Sequence, residues 1–91
     1  MPRYFLHLRD HVEEVVDAEG MEYADLQALK KGVIAAARDV MSGDLRAGLI
    51  DFRYRIDAVN EAGAVVFTLP FQYAVNIIPS ESLPPPNEGT S

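Results

Sequence analysis

An unbroken alternation of apolar and charged residues occupies Ile50-Asp51-Phe52-Arg53-Tyr54-Arg55-Ile56-Asp57. This alternation is typical of a β-strand with one face buried and the other in water, because successive side chains on a strand point to opposite faces. The apolar members are therefore predicted to face a core, and the charged members to face solvent. On this basis we predict a strand from about Gly48 to Ala58.

A second alternating stretch opens the chain and predicts a β-hairpin. In the first strand, Arg3–Arg9, one face carries Tyr4, Leu6 and Leu8. After a polar break at Asp10-His11, the return strand is predicted over Val12–Asp17. Gly20 ends this unit, because glycine adopts the positive φ of a tight turn at low cost.

One helix is predicted between the two pairs of strands. Asp25 is a good N-cap, since its carboxylate can accept from the free amides of the first turn. Apolar residues at three- and four-residue spacing form one stripe, which comprises Leu26, Leu29, Val33, Ala36 or Ala37, and Val40. The helix is predicted to run from Leu26 to Met41 and to stop at Ser42-Gly43. Gly32, in mid-helix, is interpreted as a site of close packing against the sheet or of simple tolerance, rather than as a hinge.

A second hairpin completes the predicted fold. Residues 60–63 form its turn, and a fourth strand begins at Val65. Pro70 cannot donate to a ladder, so this strand is placed at an edge or at a bulge, although its alternation continues to Ile77. The predicted fold class is α+β, in the order β-β-α-β-β, with one helix packed on one face of a four-stranded, mostly antiparallel sheet.

The predicted core lies between the helix and the sheet. Its members are the residues on the apolar sides of the periodic segments, namely Leu6, Leu29, Val33, Phe52, Tyr54, Ile56 and Phe67. Residues 1–78 are assigned to this single small domain, and the Pro- and Ser-rich residues 79–91 to a disordered C-terminal tail.

Composition argues against several classes of function. The 91 residues include no cysteine, which removes disulfides, thiolate metal sites and cysteine nucleophiles. There is no nucleophile elbow and no glycine-rich phosphate loop, so neither an enzymatic activity nor a cofactor is predicted. The N-terminus lacks the pattern of a signal peptide, and no apolar run approaches the ~20 residues of a membrane span. We therefore expect a cytoplasmic protein of bacterial type that does not contact a membrane.

Two clusters of polar residues have only a weak similarity to metal sites. His7 and His11 lie four residues apart amid acidic residues, but on a strand and a turn this spacing need not bring the rings together. The pattern of Asp17, Glu19 and Glu22 resembles a calcium-binding loop only weakly. It lacks the Asp-x-Asp-x-Asp-Gly order and the closing glutamate of such a loop. No metal site is predicted, and both clusters are interpreted as solvated groups on turns and strands.

Three motifs together resemble one known family. They are the opening Met1-Pro2-Arg3-Tyr4-Phe5, the turn Asp17-Ala18-Glu19-Gly20, and Asp25-Leu26 with Ala28 at the start of the helix. In combination they look like a family of domains of unknown function in short, mostly alphaproteobacterial proteins, over about residues 1–71. The resemblance implies a small cytoplasmic domain and carries no established activity, cofactor or site residues.

The alternating segment after Pro70 predicts an interface. Its apolar residues, which would all be wet on a free tail, are Phe71, Tyr73, Val75, Ile77 and Ile78. A small domain with a nearly filled core is expected to bury them against a second copy, by edge pairing or strand exchange. The leading prediction is therefore a non-catalytic interaction module, a homodimer with a regulatory or scaffolding role. Alternatively, the segment folds back and covers the open face of its own sheet.

Basic residues on the predicted open sheet face give a second functional hypothesis, a nucleic-acid-associated module of antitoxin-like or RNA-binding type. An aromatic residue among arginines can stack on a base while the arginines bind phosphates. The candidate contacts are Arg3, Phe5, Arg9, Arg53 and Arg55. The net charge of −6 disfavours this hypothesis, as does the presence of Asp51 and Asp57 beside the arginines. A salt-bridged, solvated face is the simpler interpretation.

Overall fold

The computed structural model describes residues 2–78, so the predicted tail at residues 79–91 lies outside the described part of the chain. The elements are, in order, β1 (Arg3–Arg9), β2 (Glu14–Val15), β3 (Met21–Glu22), α1 (Leu26–Ala47), β4 (Arg55–Asn60), β5 (Val65–Pro70) and a 3-10 helix (Phe71–Tyr73). The predicted α+β fold is confirmed, with one helix on one face of a mostly antiparallel sheet. β3 is a short additional strand that the sequence pattern did not indicate.

The sheet is built around the pairing of β1 with β4. Its order is β2-β1-β4-β5, and β3 also pairs with β1. β1 and β4 are antiparallel in a register that runs from Tyr4 opposite Asn60 to Arg9 opposite Arg55. The predicted return strand Val12–Asp17 is wrong in extent, because only Glu14–Val15 pairs with β1 before the chain leaves the ladder.

The helix begins where the sequence predicted and ends later. Asp25 is the N-cap, and its Oδ1 accepts from the Ala28 N–H at 2.7 Å. The predicted stop at Ser42-Gly43 is wrong, since the helix continues to Ala47 and Gly48 takes the left-handed conformation (φ 87°) that ends it. A glycine inside a helix costs only about 1 kcal/mol, so Gly43 does not by itself end the helix.

The first half of the predicted third strand is a turn instead. Asp51 Oδ1 accepts from the backbone N–H of Arg53 at 2.9 Å, and the ladder starts only at Arg55. The predicted strand Gly48–Ala58 is therefore wrong at its start, because a short aspartate side chain offers the backbone an alternative to strand pairing. Phe52 and Tyr54 nevertheless pack against the core, as predicted.

The core lies between α1 and the sheet, and the predicted core residues are confirmed. Its buried members are Leu29, Val33, Ala37, Met41, Ile56, Ala58, Leu69, Phe71 and Ala74. Of the predicted set, Leu29, Val33 and Ile56 are buried, and the other four, Leu6, Phe52, Tyr54 and Phe67, are partly buried and pack against it. The periodicity thus identified the inner faces of β1, α1 and β4, but Leu26, predicted on the apolar stripe of the helix, is 49% exposed, and Ile50, predicted to face the core, is 38% exposed.

β5 is an edge strand, as Pro70 predicted. It pairs with β4 alone among the described strands, and Pro70 is its last residue. In the preceding turn, Asn60 Oδ1 accepts from the N–H groups of Ala62 and Ala64 at 3.0 and 2.9 Å, and Gly63 has φ 87°. A register shift between Ala58 and Val59 interrupts the β4–β5 ladder.

Candidate functional site

The sequence pattern predicted that the strand continues past Pro70, and this is wrong. The segment instead turns back onto the helix. Phe71 has 0% exposure and its N–H donates to Tyr54 O at 3.0 Å. Arg38 Nε then donates to Ala74 O at 2.7 Å, which ties the segment to α1. The placement of Phe71 in an intermolecular interface is therefore wrong, because its own chain buries it completely. Val75 packs partly buried against the core.

The rest of the predicted interface stays exposed. Tyr73 is 70% exposed and Ile77 62% exposed, and Ile78 is more exposed still. The alternative prediction, that the segment covers the open face of the sheet, is wrong, because residues 71–75 pack on the side that carries α1. The structure therefore separates a buried anchor at Phe71 from an exposed end at Ile77 and Ile78.

An apolar groove lies between the last turns of α1, the link to β4 and this exposed end; we call it the terminal groove. Its volume is about 330 Å³, and it is lined by Arg38, Met41, Ser42, Leu45, Ile50, Phe52, Val75 and Ile77. Leu45 is 65% exposed and Ile50 38% exposed. Arg38 is its single charged lining residue, so the groove offers apolar surface with little polar chemistry.

On the sheet face away from α1, the arginines of β1 and β4 bind a buried carboxylate. Asp57 is 4% exposed, and its Oδ2 accepts from Arg9 Nη1 at 2.9 Å and from Arg55 Nε at 3.2 Å. Thr68 Oγ1 donates to the other carboxylate oxygen at 2.8 Å. Burial by itself raises the pKa of Asp57, but these three partners outweigh burial and the pKa is lowered. The prediction that Asp57 faces solvent is wrong, because the ion pairs compensate its burial.

Of the other predicted contacts, Arg3 is already paired and Arg53 lies off this face. Arg3 lies 3.6 Å from Glu22 and donates to Glu19 O at 2.9 Å. Arg53 is not on the sheet at all, because it lies in the turn before β4 and binds Asp51 with both Nε and Nη2. This pairing lowers the pKa of Asp51 to about 2. The arginines are thus engaged in internal ion pairs, and nucleic-acid binding stays a prediction.

The turn Asp17-Ala18-Glu19-Gly20 has a structural role that the sequence pattern did not reveal. Asp17 Oδ2 accepts from the Leu6 N–H at 3.1 Å, which caps the outer edge of β1 between β2 and β3. Its Oδ1 accepts from the N–H groups of Glu19 and Gly20 at 3.2 and 3.0 Å. Burial by itself raises the pKa of Asp17, but the three backbone donors outweigh it and the pKa is lowered.

Two of the groups considered as metal ligands, His7 and Asp17, have other partners. His7 Nδ1 accepts from the backbone N–H of Asp17 at 3.1 Å, and His11 is exposed. The carboxylate of Asp17 is occupied by backbone donors. Within residues 2–78, no grouping of His, Asp and Glu side chains has an arrangement that would hold a metal ion.

Residues 3–72 match a family described as a domain of unknown function, DUF6894. The chain belongs to this family. No significant match was found among curated proteins or among solved structures. Across the described part of this DUF6894 chain, no helix has both the length and the apolar character of a membrane span.

The DUF6894 match includes all strands and the helix but ends before the exposed segment. Asp17 and Gly20 lie inside it, so the capped edge of β1 belongs to the matched domain. Val75 and Ile77, which line the terminal groove, lie beyond residue 72. The groove therefore combines the end of the DUF6894 helix with residues outside the match.

Proposed function

We propose that this protein is a small, non-catalytic interaction module that forms a homodimer through the terminal groove. The observation that carries the proposal is the exposure of three lining residues, Leu45, Ile50 and Ile77, around an apolar concavity. Contiguous exposed apolar surface on a soluble domain marks an interaction site. A domain of this size buries little apolar surface by itself. Covering further apolar surface in a dimer therefore adds a comparatively large share to its stability.

The residues next to the groove favour a second copy as its occupant. Ile77 and Ile78 project at one side of the groove, while the concavity beside Met41 and Leu45 accepts side chains of that size. A two-fold axis places the projecting end of each copy in the groove of the other, which makes the contact self-complementary. A small molecule fits less well, because the groove lacks several converging polar groups to orient one.

The estimated free energy of this contact predicts a weak dimer. Burying an exposed Leu or Ile side chain contributes roughly 1.5–3 kcal/mol, so three from each copy contribute on the order of 10 kcal/mol. Association itself costs roughly 4–15 kcal/mol. With the smallest association cost, about 6 kcal/mol remains, so the homodimer should have a dissociation constant of roughly tens of micromolar or weaker.

Sedimentation velocity over a concentration series tests the proposal. The protein is expected to shift from monomer towards dimer as its concentration rises, and Leu45→Glu should abolish this shift by placing a charge in the contact. The matched control is Val12→Glu, an equally large change at a residue that is 75% exposed and far along the chain from the groove. A monomer at every concentration, or equal effects of the two variants, would refute the groove homodimer.

Nucleic-acid binding through the arginine-bearing face remains the alternative function. Fluorescence anisotropy with mixed oligonucleotides over a salt series tests it, because phosphate contacts weaken steeply as salt rises. Salt-dependent binding that is lost in Arg55→Ala but retained in Leu45→Glu would favour the alternative over the homodimer.

A further inference from the structure

The outer edge of β5 has backbone groups that no described strand pairs. The hydrogen bond from Phe71 N to Tyr54 O and the pairing of Ile56 with Leu69 show which residues of β5 direct their backbone groups towards β4. Because inward and outward groups alternate along an antiparallel strand, the N–H and C=O of Thr68 point away from β4. The strand reads Val-Val-Phe-Thr-Leu-Pro and carries no charged side chain.

The two edges of the sheet differ in how they are protected. At the β1 edge, β2 and β3 are two residues long each, and Asp17 occupies the Leu6 N–H between them. At the β5 edge, Pro70 removes one donor at the end of the strand, and the register shift opposite Ala58 and Val59 leaves Val66 as an extra residue near its start. Native edge strands are normally blunted by charges, prolines, bulges or covering segments, because an open edge is a template for pairing. Among the described strands, the stretch of β5 between Val66 and Pro70 is left open to a further strand.

A basic row on α1, made of the two residues Lys30 and Arg38, runs beside this edge. Lys30 Nζ lies 5.5 Å from the centroid of the Phe67 ring, and Arg38 bonds to Ala74 O just after β5. Lys30, Ile34 and Arg38 are spaced by four residues, so they share one side of the helix. The chain as a whole has a net charge of −6, so this row is a local reversal of charge.

We propose that the β5 edge accepts an extended, acidic peptide segment of another protein as an additional strand of the sheet. The main chain of the peptide pairs with Thr68, and acidic side chains at alternate positions lie towards Lys30. A second copy fits this edge poorly, since symmetric pairing of β5 with β5 would bring the basic row of one copy beside that of the other. Pairing with the opposite edge of a second copy fails because β2 and β3 are too short. This surface shares Arg38 with the groove of the proposed homodimer but none of the apolar residues that line the groove.

Two labelled synthetic peptides test the proposal by fluorescence anisotropy at low salt, one alternating valine with glutamate and one alternating valine with lysine. The glutamate peptide is expected to bind more tightly, although the overall negative charge of the protein repels it. Lys30→Glu should weaken binding of the glutamate peptide several-fold. Equal affinities for the two peptides, or no binding of the glutamate peptide to the folded protein, would overturn the proposal.

A pair of substitutions at one position separates backbone pairing from side-chain contacts. Thr68→Pro removes the outward N–H, and Thr68→Val removes the hydroxyl that binds Asp57 but keeps the N–H. Thr68→Pro should weaken peptide binding about tenfold beyond the effect of Thr68→Val, which is the usual value of one hydrogen bond. Equal effects of the two substitutions would contradict strand addition.

Amide hydrogen exchange of the unmodified protein provides a measurement that does not depend on the proline variant folding. The Thr68 amide should exchange more slowly in the presence of the glutamate peptide, since only a strand added at β5 covers it. Leu45→Glu should leave this protection unchanged, whatever it does to the oligomeric state. An unprotected Thr68 amide in a saturated complex, or loss of peptide binding in Leu45→Glu, would assign the peptide to another surface.

Discussion

Substitution of Gly20 by alanine should destabilise the domain more than the same change at any other turn glycine of the described chain. Gly20 has φ 71°, and an added Cβ would lie 2.8 Å from Tyr4 O and 2.8 Å from Phe5 Cε1. The left-handed backbone alone costs an alanine about 1–2 kcal/mol. Forcing an atom into a packed contact costs about 1–3 kcal/mol more, because the backbone oxygen of Tyr4 cannot move without distorting β1.

Gly63→Ala is the matched control for this prediction. Gly63 has φ 87°, but a Cβ there would meet no atom within 4 Å, so only the backbone cost applies. We expect a loss of about 3 kcal/mol in the free energy of unfolding for Gly20→Ala and about 1 kcal/mol for Gly63→Ala. Since a small domain has a total stability near the lower end of about 5–15 kcal/mol, the first loss is a large fraction of it.

Urea unfolding followed by circular dichroism measures both variants. With a slope of about 1 kcal/mol per molar urea for a domain of this size, the midpoint should fall by about 3 M for Gly20→Ala and by about 1 M for the control. If the two variants unfold at the same urea concentration, the close contact of Gly20 with Tyr4 and Phe5 does not limit the substitution. The turn would then have no steric requirement for glycine beyond its backbone conformation.

Three further outcomes are expected. Phe71→Ala should cost about 3–5 kcal/mol in urea unfolding, because the ring is fully buried, whereas Tyr73→Ala should cost less than about 0.5 kcal/mol. Asp57→Asn should cost about 1–3 kcal/mol, since it removes the carboxylate shared by Arg9 and Arg55, while both arginines keep access to water and Arg9 keeps Glu14. The pKa values of Asp17 and Asp57 are lowered from their ordinary value of 3.8 in the folded state, so their stabilisation is complete above that value and is lost as the pH falls below it. Urea midpoints measured down the acid range should fall less steeply in Asp17→Asn than in the unmodified protein.

The fold class could be predicted from the sequence because burial leaves a periodic pattern. Leu29, Val33 and Ile56 face one core, and their spacing in the chain follows the helix and strand periods that produce such a face. Asp25 could also be predicted, since an N-cap depends on one local hydrogen bond. These features depend on short stretches of chain, which a sequence pattern describes well.

The link between α1 and β4 could not be placed, because its alternation is compatible with two structures. Phe52 and Tyr54 pack on the core whether residues 51–53 form a strand or a turn, so their periodicity does not distinguish the two. The hydrogen bond from Arg53 N to Asp51 decides in favour of the turn. Gly48 was the available signal, since a glycine that follows a helical stripe often takes the left-handed conformation at a helix end.

The burial of Phe71 could not be predicted, because the alternating pattern after Pro70 is compatible with a continuing strand. The 3-10 turn at Phe71–Tyr73 instead directs the chain back onto α1, where Phe71 joins a buried cluster with Leu29, Val33 and Met41. The bonds that hold this turn, from Phe71 N to Tyr54 O and from Arg38 Nε to Ala74 O, join residues far apart in the chain. Such contacts leave no periodic signal in the sequence.

The two proposed surfaces share Arg38 but differ in whether they need residues beyond the matched domain. The β5 edge and the basic row of α1 lie within residues 3–72, the part that matches DUF6894, whereas the terminal groove needs Val75 and Ile77 from outside it. Asp17 and Gly20 close the β1 edge inside the same matched part, which leaves β5 as the edge available for pairing. Peptide pairing at β5 therefore requires only features of the DUF6894 domain itself. The homodimer, by contrast, requires the particular residues that follow it in this chain.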